Sequence, residues 1–313
     1  MKTLITGITG MIGSEIARLT KTRGYETYGL ARFSAASRMA VLQDKNVIRC
    51  DILDRDALER VVEKIKPELV IHLAAQAYNG ISWEMEDITH LTNYTGTINV
   101  LKACRRFIPK AKIVLACSSA AYGDVTLADT PLKEARPLKP ITPYGVTKAA
   151  TEALGYQYFK NYGMEIFLPR LFIHVGTGHP PATAIQNFAR QLALIARKMA
   201  PPTVKVGNLN SARDFVDVRD GARAVLLLAE KGTPGDPVNI CSATAYSVAE
   251  ILEMLIDISG QKVEIVADSQ LLRPSDEPIL LGDNTKLKAL GWSPNYTIKE
   301  TLATVYEDWL SRI

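Results

Sequence analysis

The chain predicts an α/β fold, a doubly wound parallel sheet with a smaller C-terminal region joined to it. Three observations carry this reading. Short apolar runs alternate with longer helix-periodic stretches from the N-terminus to about residue 170, the order that builds parallel strands joined by crossover helices. The runs are continuously apolar, as strands covered on both faces require. A glycine-rich turn separates the first run from the first helical stretch. At 313 residues and 47% hydrophobic content, the chain has enough apolar mass for more than one small domain.

The strands are expected at 3–6, 26–30, 47–50, 69–73, 112–116 and 166–171, with helices at 11–22, 55–65, 85–106 and 143–162. After Arg170 the rhythm loosens. Pro180, Pro181, Pro201, Pro202, Pro234, Pro237, Pro274, Pro278 and Pro294 punctuate it, and helical patterns recur at 184–198, 218–230, 247–258 and 298–310. Proline loops between short elements predict a second unit. The division is therefore 1–170 for cofactor and catalysis and 171–313 mainly for substrate, with the chain free to cross between them.

The formal charge of +4 is spread through the sequence. The densest basic stretch, Lys102 to Arg106 with Lys110 and Lys112, reads as a solvated helix face, and no nucleic-acid partner is expected. Cys50, Cys104, Cys117 and Cys241 lie far apart, with no CxxC and no metal-ligand spacing. Buried free thiols and no metal are expected. No apolar run reaches the roughly 18 residues of a membrane span, and the N-terminus enters a strand directly. A cytoplasmic, reducing setting fits.

Gly7-Ile8-Thr9-Gly10-Met11-Ile12-Gly13 follows the first strand and opens the first helix. Glycines there permit a tight turn and a close backbone approach to a pyrophosphate. The helix N-terminus around Met11 and Ile12 adds N–H donors and partial positive charge. The second strand ends in Gly29-Leu30-Ala31-Arg32-Phe33-Ser34, with Ser37 and Arg38 behind it. No acid stands at the tip to take a ribose hydroxyl, while Arg32 offers a fork of donors to a 2′-phosphate. NADP(H) is expected, with NAD(H) as second choice. Asp51 and Ile52, after the third strand, are candidates to contact the adenine; Asp51 is equally a candidate helix cap.

Tyr144 and Lys148 form YxxxK within a helical stretch, so phenol and ammonium share one face. A cation beside a phenol favours its ionised form, and the ammonium together with the nicotinamide's positive charge is expected to lower the tyrosine pKa. Ser118 ends the fifth strand and can hydrogen-bond a reacting oxygen.

These features together resemble the extended short-chain dehydrogenase/reductase family. The marks are the glycine turn, His72-Leu73-Ala74-Ala75-Gln76, Ser118 before Tyr122-Gly123, Pro143-Tyr144 and Lys148. The resemblance implies a Rossmann-type fold, Tyr144 as acid/base, Lys148 on the nicotinamide ribose and Ser118 on the substrate oxygen. It also implies Leu73, Ala74 and Ala75 beside the cofactor, and a structural Asn93. Relatives pair through two apolar helices, here 85–106 and 143–162, which implies a homodimer.

The second half resembles the GDP-mannose 4,6-dehydratase branch and its sister 4-keto-6-deoxyhexose reductases. The marks are 205–215, Arg273-Pro274-Ser275-Asp276, Leu281-Gly282-Asp283 and Leu290-Gly291-Trp292-Ser293-Pro294. By that resemblance Arg213 and Arg273 reach the diphosphate, and Asp276 holds the sugar nucleotide. Trp83, Ser119, His174, Asn187 and Lys205 are further substrate candidates, with Trp83 and His174 equally open to structural roles; His72 and Trp292 read as core residues. Dehydratases of the branch carry an acid two residues after the serine, where this chain has Ala120. Dehydration is therefore disfavoured, and NADPH-dependent reduction of a GDP-4-keto-6-deoxyhexose is the expected activity. A 4-epimerase holding NAD(P) tightly is the alternative, and a non-enzymatic NADP sensor a third. Ile173 stands where the branch commonly has asparagine.

Overall fold

A computed structural model describes residues 1–32, 44–272 and 277–313. The first region runs β1 (Lys2–Thr6), α1 (Met11–Thr22), β2 (Glu26–Ala31), β3 (Val47–Arg49), α2 (Arg55–Ile65), β4 (Leu69–His72), α3 (Glu86–His90), α4 (Gly96–Phe107), β5 (Lys112–Leu115), β6 (Cys117–Ser118), α5 (Pro143–Tyr162) and β7 (Ile166–Leu171). The second runs β8 (Ile173–Val175), α6 (Ala184–Ala196), β9 (Thr203–Val206), β10 (Ala212–Asp217), α7 (Val218–Lys231), β11 (Pro237–Ile240), β12 (Ala245–Ser247), α8 (Val248–Ser259), β13 (Glu264–Ala267), β14 (Ile279–Leu280), α9 (Thr285–Ala289) and α10 (Ile298–Arg312).

The main sheet has the order β11-β7-β5-β4-β1-β2-β3, with β6 beside β7. Its pairings are parallel throughout. Leu58, Val62, Leu101 and Cys104 bury one face against Leu4, Val70 and Ile113. Ile16, Ala222, Val225 and Leu226 cover the other against Ile5, Ile71 and Phe167. The doubly wound parallel architecture expected from the apolar runs is the one observed. All four cysteines are buried free thiols. Among the described residues no helix is long and apolar enough to cross a membrane.

One sequence expectation needs correction and another is made specific. The stretch 85–106 is not one helix: α3 passes through a π-helical turn, Leu91–Thr95, into α4. The wider turn carries Asn93, whose side chain accepts from the Gln76 N–H (2.8 Å) and donates to the Gln76 carbonyl (3.0 Å) and Thr147 Oγ1 (3.0 Å). The second point fills in the division at residue 170, which left the chain free to cross between the units. The helix α7 packs on the first sheet beside α1, and β11 extends that sheet beyond β7. Residues 218–240 thus return to the first layer, while α6, α8 and α10 form a separate core around Phe188, Leu192, Leu255 and Trp309. The β11 strand was missed because Gly235-Asp236-Pro237 reads as a loop, leaving too short an apolar run to recognise.

Candidate active site

The glycine turn forms a cradle with little room for a side chain. Gly7 has φ +73° and its Cβ would lie 2.9 Å from the Ala74 nitrogen; a Cβ on Gly13 would lie 2.3 Å from the Gly7 carbonyl oxygen. Gly10 caps α1, and its N–H donates to the Gly7 carbonyl (3.0 Å). Met11 and Ile12 begin the helix. Thr6 Oγ1 accepts from the Ala74 N–H (3.1 Å), which binds the loop Leu73-Ala74-Ala75 to the turn. Arg32 is exposed just beyond the tip of β2. Asp51 accepts from the Leu53 N–H (2.9 Å), while Asp54 caps α2, so the cap role falls three residues later. Ile52 is buried against Gly96. These residues fit a dinucleotide: a side-chain-free turn at a helix N-terminus takes the pyrophosphate, and an exposed guanidinium flanks the expected ribose position.

The helix α5 starts at Pro143, and the Thr142 side chain accepts from the Gly145 N–H (3.0 Å). This cap fixes where the helix begins, and Tyr144 and Lys148 then project one turn apart. The Tyr144 N–H donates to Ser82 Oγ (3.3 Å), tying α5 to the loop after β4. Ser118 faces the Tyr144 phenol, and its Oγ accepts from the Ala120 N–H (3.2 Å). Lys148 Nζ lies 5.7 Å from the centre of the Tyr144 ring and donates to the Ala116 carbonyl (2.7 Å). The structure therefore brings Ser118, Tyr144 and Lys148 together, with Ser119 buried beside them.

The depressed tyrosine pKa expected from the sequence counts on the nicotinamide's charge as well as the ammonium, and the protein's own surroundings act the other way. Burial pushes the Tyr144 phenol up to about 12, against the pull of its Ser118 hydrogen bond. Burial also pushes the Lys148 ammonium down to about 8. Desolvation penalises both charged forms and is the largest cause of each shift. Beneath them, buried His72 bridges Thr6 Oγ1 (2.7 Å) and Thr97 Oγ1 (2.9 Å) and is held neutral by burial, with a pKa near 3.

The second region meets its expectations less evenly. Arg213 is buried on β10, where Nη1 donates to the Ala212 carbonyl (2.8 Å) and Nη2 lies 3.6 Å from Glu277. Its neighbour Asp214 turns elsewhere, accepting from the Ser242 and Ala243 N–H groups (2.7 and 2.9 Å). Lys205 is exposed and pairs with Asp268 (3.6 Å). Asn187 lies half-buried in the first turn of α6, and Trp83 is 38% exposed in the turn Ile81–Trp83. His174 is corrected from a substrate candidate to a packing residue. Its Nδ1 pairs with the Phe172 carbonyl (2.8 Å), and its Nε2 is closed off against Gly221 of α7. Arg273 and Asp276 lie outside the described residues, as do Phe33, Ser34, Ser37 and Arg38.

A doubly wound parallel sheet that opens on a glycine turn and sets a strand-end serine against a YxxxK helix defines the extended short-chain dehydrogenase/reductase class. Within it, the chain belongs to the GDP-mannose 4,6 dehydratase family, whose model matches residues 4–305. It is 30% identical over 310 residues to the GDP-6-deoxy-D-mannose reductase of Pseudomonas aeruginosa, covering 99% of this chain and 97% of that protein. The structure of RMD from Pseudomonas aeruginosa, complexed with NADPH, superposes with a TM-score of 0.88 at 29% identity, covering 100% of this chain and 99% of that one. The UDP-glucose 4-epimerase of Thermotoga maritima, solved with UDP-glucose, gives a TM-score of 0.91 at 28% identity, covering 100% and 99%.

Proposed function

We propose that the chain is an NADPH-dependent reductase acting on the C4 keto group of a GDP-4-keto-6-deoxyhexose. The observation that carries this reading is the Ser118–Tyr144–Lys148 group with Ala120 at the position where a dehydratase needs a carboxylate. The similarity to a GDP-6-deoxy-D-mannose reductase supports the sugar and the nucleotide, and the NADPH bound by the similar RMD structure supports the cofactor.

NADPH, when bound, would supply a hydride to C4. The chain's own residues hold the carbonyl and deliver the proton. With Ser118 Oγ accepting from the Ala120 N–H, its own hydrogen passes from the Tyr144 phenol to the substrate oxygen. Tyr144, kept protonated by burial at neutral pH, is an acid ready to protonate the new alkoxide. Lys148 then stabilises the phenolate that results and holds the nicotinamide ribose. Arg32 takes the 2′-phosphate, and Gly7, Gly10 and Gly13 admit the pyrophosphate. Arg213 serves the substrate diphosphate.

The epimerase similarity favours one second reading, a nucleotide-sugar 4-epimerase using the same three residues. Stoichiometry separates them. Purified protein is mixed with NADPH and GDP-4-keto-6-deoxymannose while nicotinamide absorbance and sugar product are followed. One NADPH lost per 4-hydroxy sugar formed is the expected result. Conversion of an intact nucleotide sugar with no net NADPH loss would establish the epimerase instead.

The protein is further proposed to be a cytoplasmic homodimer. Ile88, Leu91, Tyr94 and Val146 leave an exposed apolar face along α3, the π-turn and α5, which supports pairing there. A monomer at every concentration in light scattering would reject it.

A further inference from the structure

A buried polar cluster lies behind the candidate catalytic centre and touches both of its halves. Arg170 of β7 is 3% exposed. Its Nε and Nη2 donate to both carboxylate oxygens of Glu152 (2.7 and 2.6 Å), a bidentate pair with a fixed plane. Its Nη1 donates to the Tyr122 hydroxyl (2.8 Å) and the Glu134 carbonyl (2.9 Å). The Tyr122 hydroxyl in turn donates to Asn239 Oδ1 (2.8 Å). That phenol is fully buried, so its direction is set by two bonds and by packing against Phe172.

Each arm of the cluster leads to a catalytic candidate. Glu152 stands on α5 one turn beyond Lys148, which stands one turn beyond Tyr144. Tyr122 closes the short turn Ser119–Ala121, whose N-cap is Ser118. On the opposite side the Ala120 carbonyl presses on α5 at Gly145, where a Cβ would lie only 2.5 Å from that oxygen. The turn carrying Ser118 is thus held at two points, at Ala120 by α5 and at Tyr122 by Arg170. An apolar filling would supply comparable stability without the desolvation cost of four polar side chains. What directed bonds add is orientation.

We propose that the Tyr122 hydroxyl, anchored on Arg170, is a positioning group that sets the Ser118 hydroxyl against Tyr144. The proposal rests on the reductase reading's use of Ser118. Displacement of a reacting group by about 1 Å costs on the order of 100-fold in rate. Tyr122→Phe, which deletes one oxygen and keeps the ring, should therefore lower kcat by roughly 10- to 100-fold, with KM for NADPH and sugar held within about threefold.

The test is a cycle of four proteins: the parent, Tyr122→Phe, Ser118→Ala and the double variant. Hydride-transfer rate and urea midpoint are measured on each. If Tyr122 acts through Ser118, Tyr122→Phe lowers the rate in the parent and changes it by less than about twofold in the Ser118→Ala background. Its effect on the urea midpoint is the same in both backgrounds. Equal rate losses in both backgrounds, or a parent-like kcat in Tyr122→Phe, overturn the positioning role alone. An unchanged kcat in Ser118→Ala overturns the assignment of Ser118 itself, and the proposal with it. Should Tyr122→Phe not fold, Glu152→Gln, which keeps shape but not charge, enters the same cycle with the same outcomes.

Discussion

Two long cationic side chains are buried to the same degree, one in each region, and the molecule treats them differently. Lys148 and Arg213 are each 6% exposed. Lys148 has a backbone carbonyl as its hydrogen-bond acceptor, and among the described residues no carboxylate forms an ion pair with it. Its charge is accordingly destabilised, and its pKa falls to about 8. Arg213 faces the buried carboxylate of Glu277. The catalytic region keeps its cation dear and ready for a new anionic neighbour, such as a forming phenolate. The second region holds its cation in a compensated pair from which a ligand must recruit it.

The largest effect that could break this contrast is chemical. If the first region's groups are arranged for proton delivery, Tyr144→Phe should lower kcat by about 10²- to 10⁴-fold while leaving the NADPH dissociation constant unchanged. Turnover within tenfold of the parent would remove Tyr144 from the chemistry.

Stability sharpens the contrast next. Arg213→Met strips the buried Glu277 of its guanidinium and should cost about 3–5 kcal/mol in urea unfolding. Lys148→Met removes a poorly compensated buried charge and should leave stability at pH 7 unchanged or raised, although activity collapses. Equal losses in the two variants would mean that both cations are structural ties.

The smallest effect lies in the pH dependence. Burial raises the Asp214 carboxyl to about 6, above the value of about 4 expected in an unfolded chain. Between those limits the folded state binds the extra proton, so this residue makes stability fall as pH rises from 4 to 6. Lys148 has the opposite sign. Its folded pKa lies below its unfolded one, so its penalty is present below pH 8 and relieved by about pH 10.5. Asp214→Asn should flatten the first slope, worth about 1–3 kcal/mol, and Lys148→Met the second. Parallel stability–pH curves for parent and variants would reject both assignments.

The same division governs what the sequence discloses. The glycine turn and YxxxK are legible because their geometry is local: a turn needs neighbouring glycines, and a helix face needs spacing of four. The Arg213–Glu277 pair spans 64 positions and the Arg170–Tyr122 bond 48, and nothing in either neighbourhood announces them. Asp214 is adjacent to Arg213, yet successive residues on a strand point to opposite sides, so adjacency there implies no pairing. The protein's own effect on the tyrosine pKa is hidden for a related reason. A nearby charge is visible in a motif, whereas the depth of burial that acts against it is a property of the whole fold. The helix at 85–106 was visible as periodicity, but a single π-turn barely disturbs that pattern while redirecting Asn93.

The return of residues 218–240 to the first layer has a practical corollary for anyone dividing this molecule. Cutting after β7 would leave that strand as a bare, hydrogen-bond-hungry sheet edge and uncover the α1 side of the sheet. A piece ending at 170 is thus an aggregation hazard rather than a cofactor-binding module. Recombination with a relative must move α7 and β11 together with the first half, because ancestry written along the chain and solidarity in space follow different borders here.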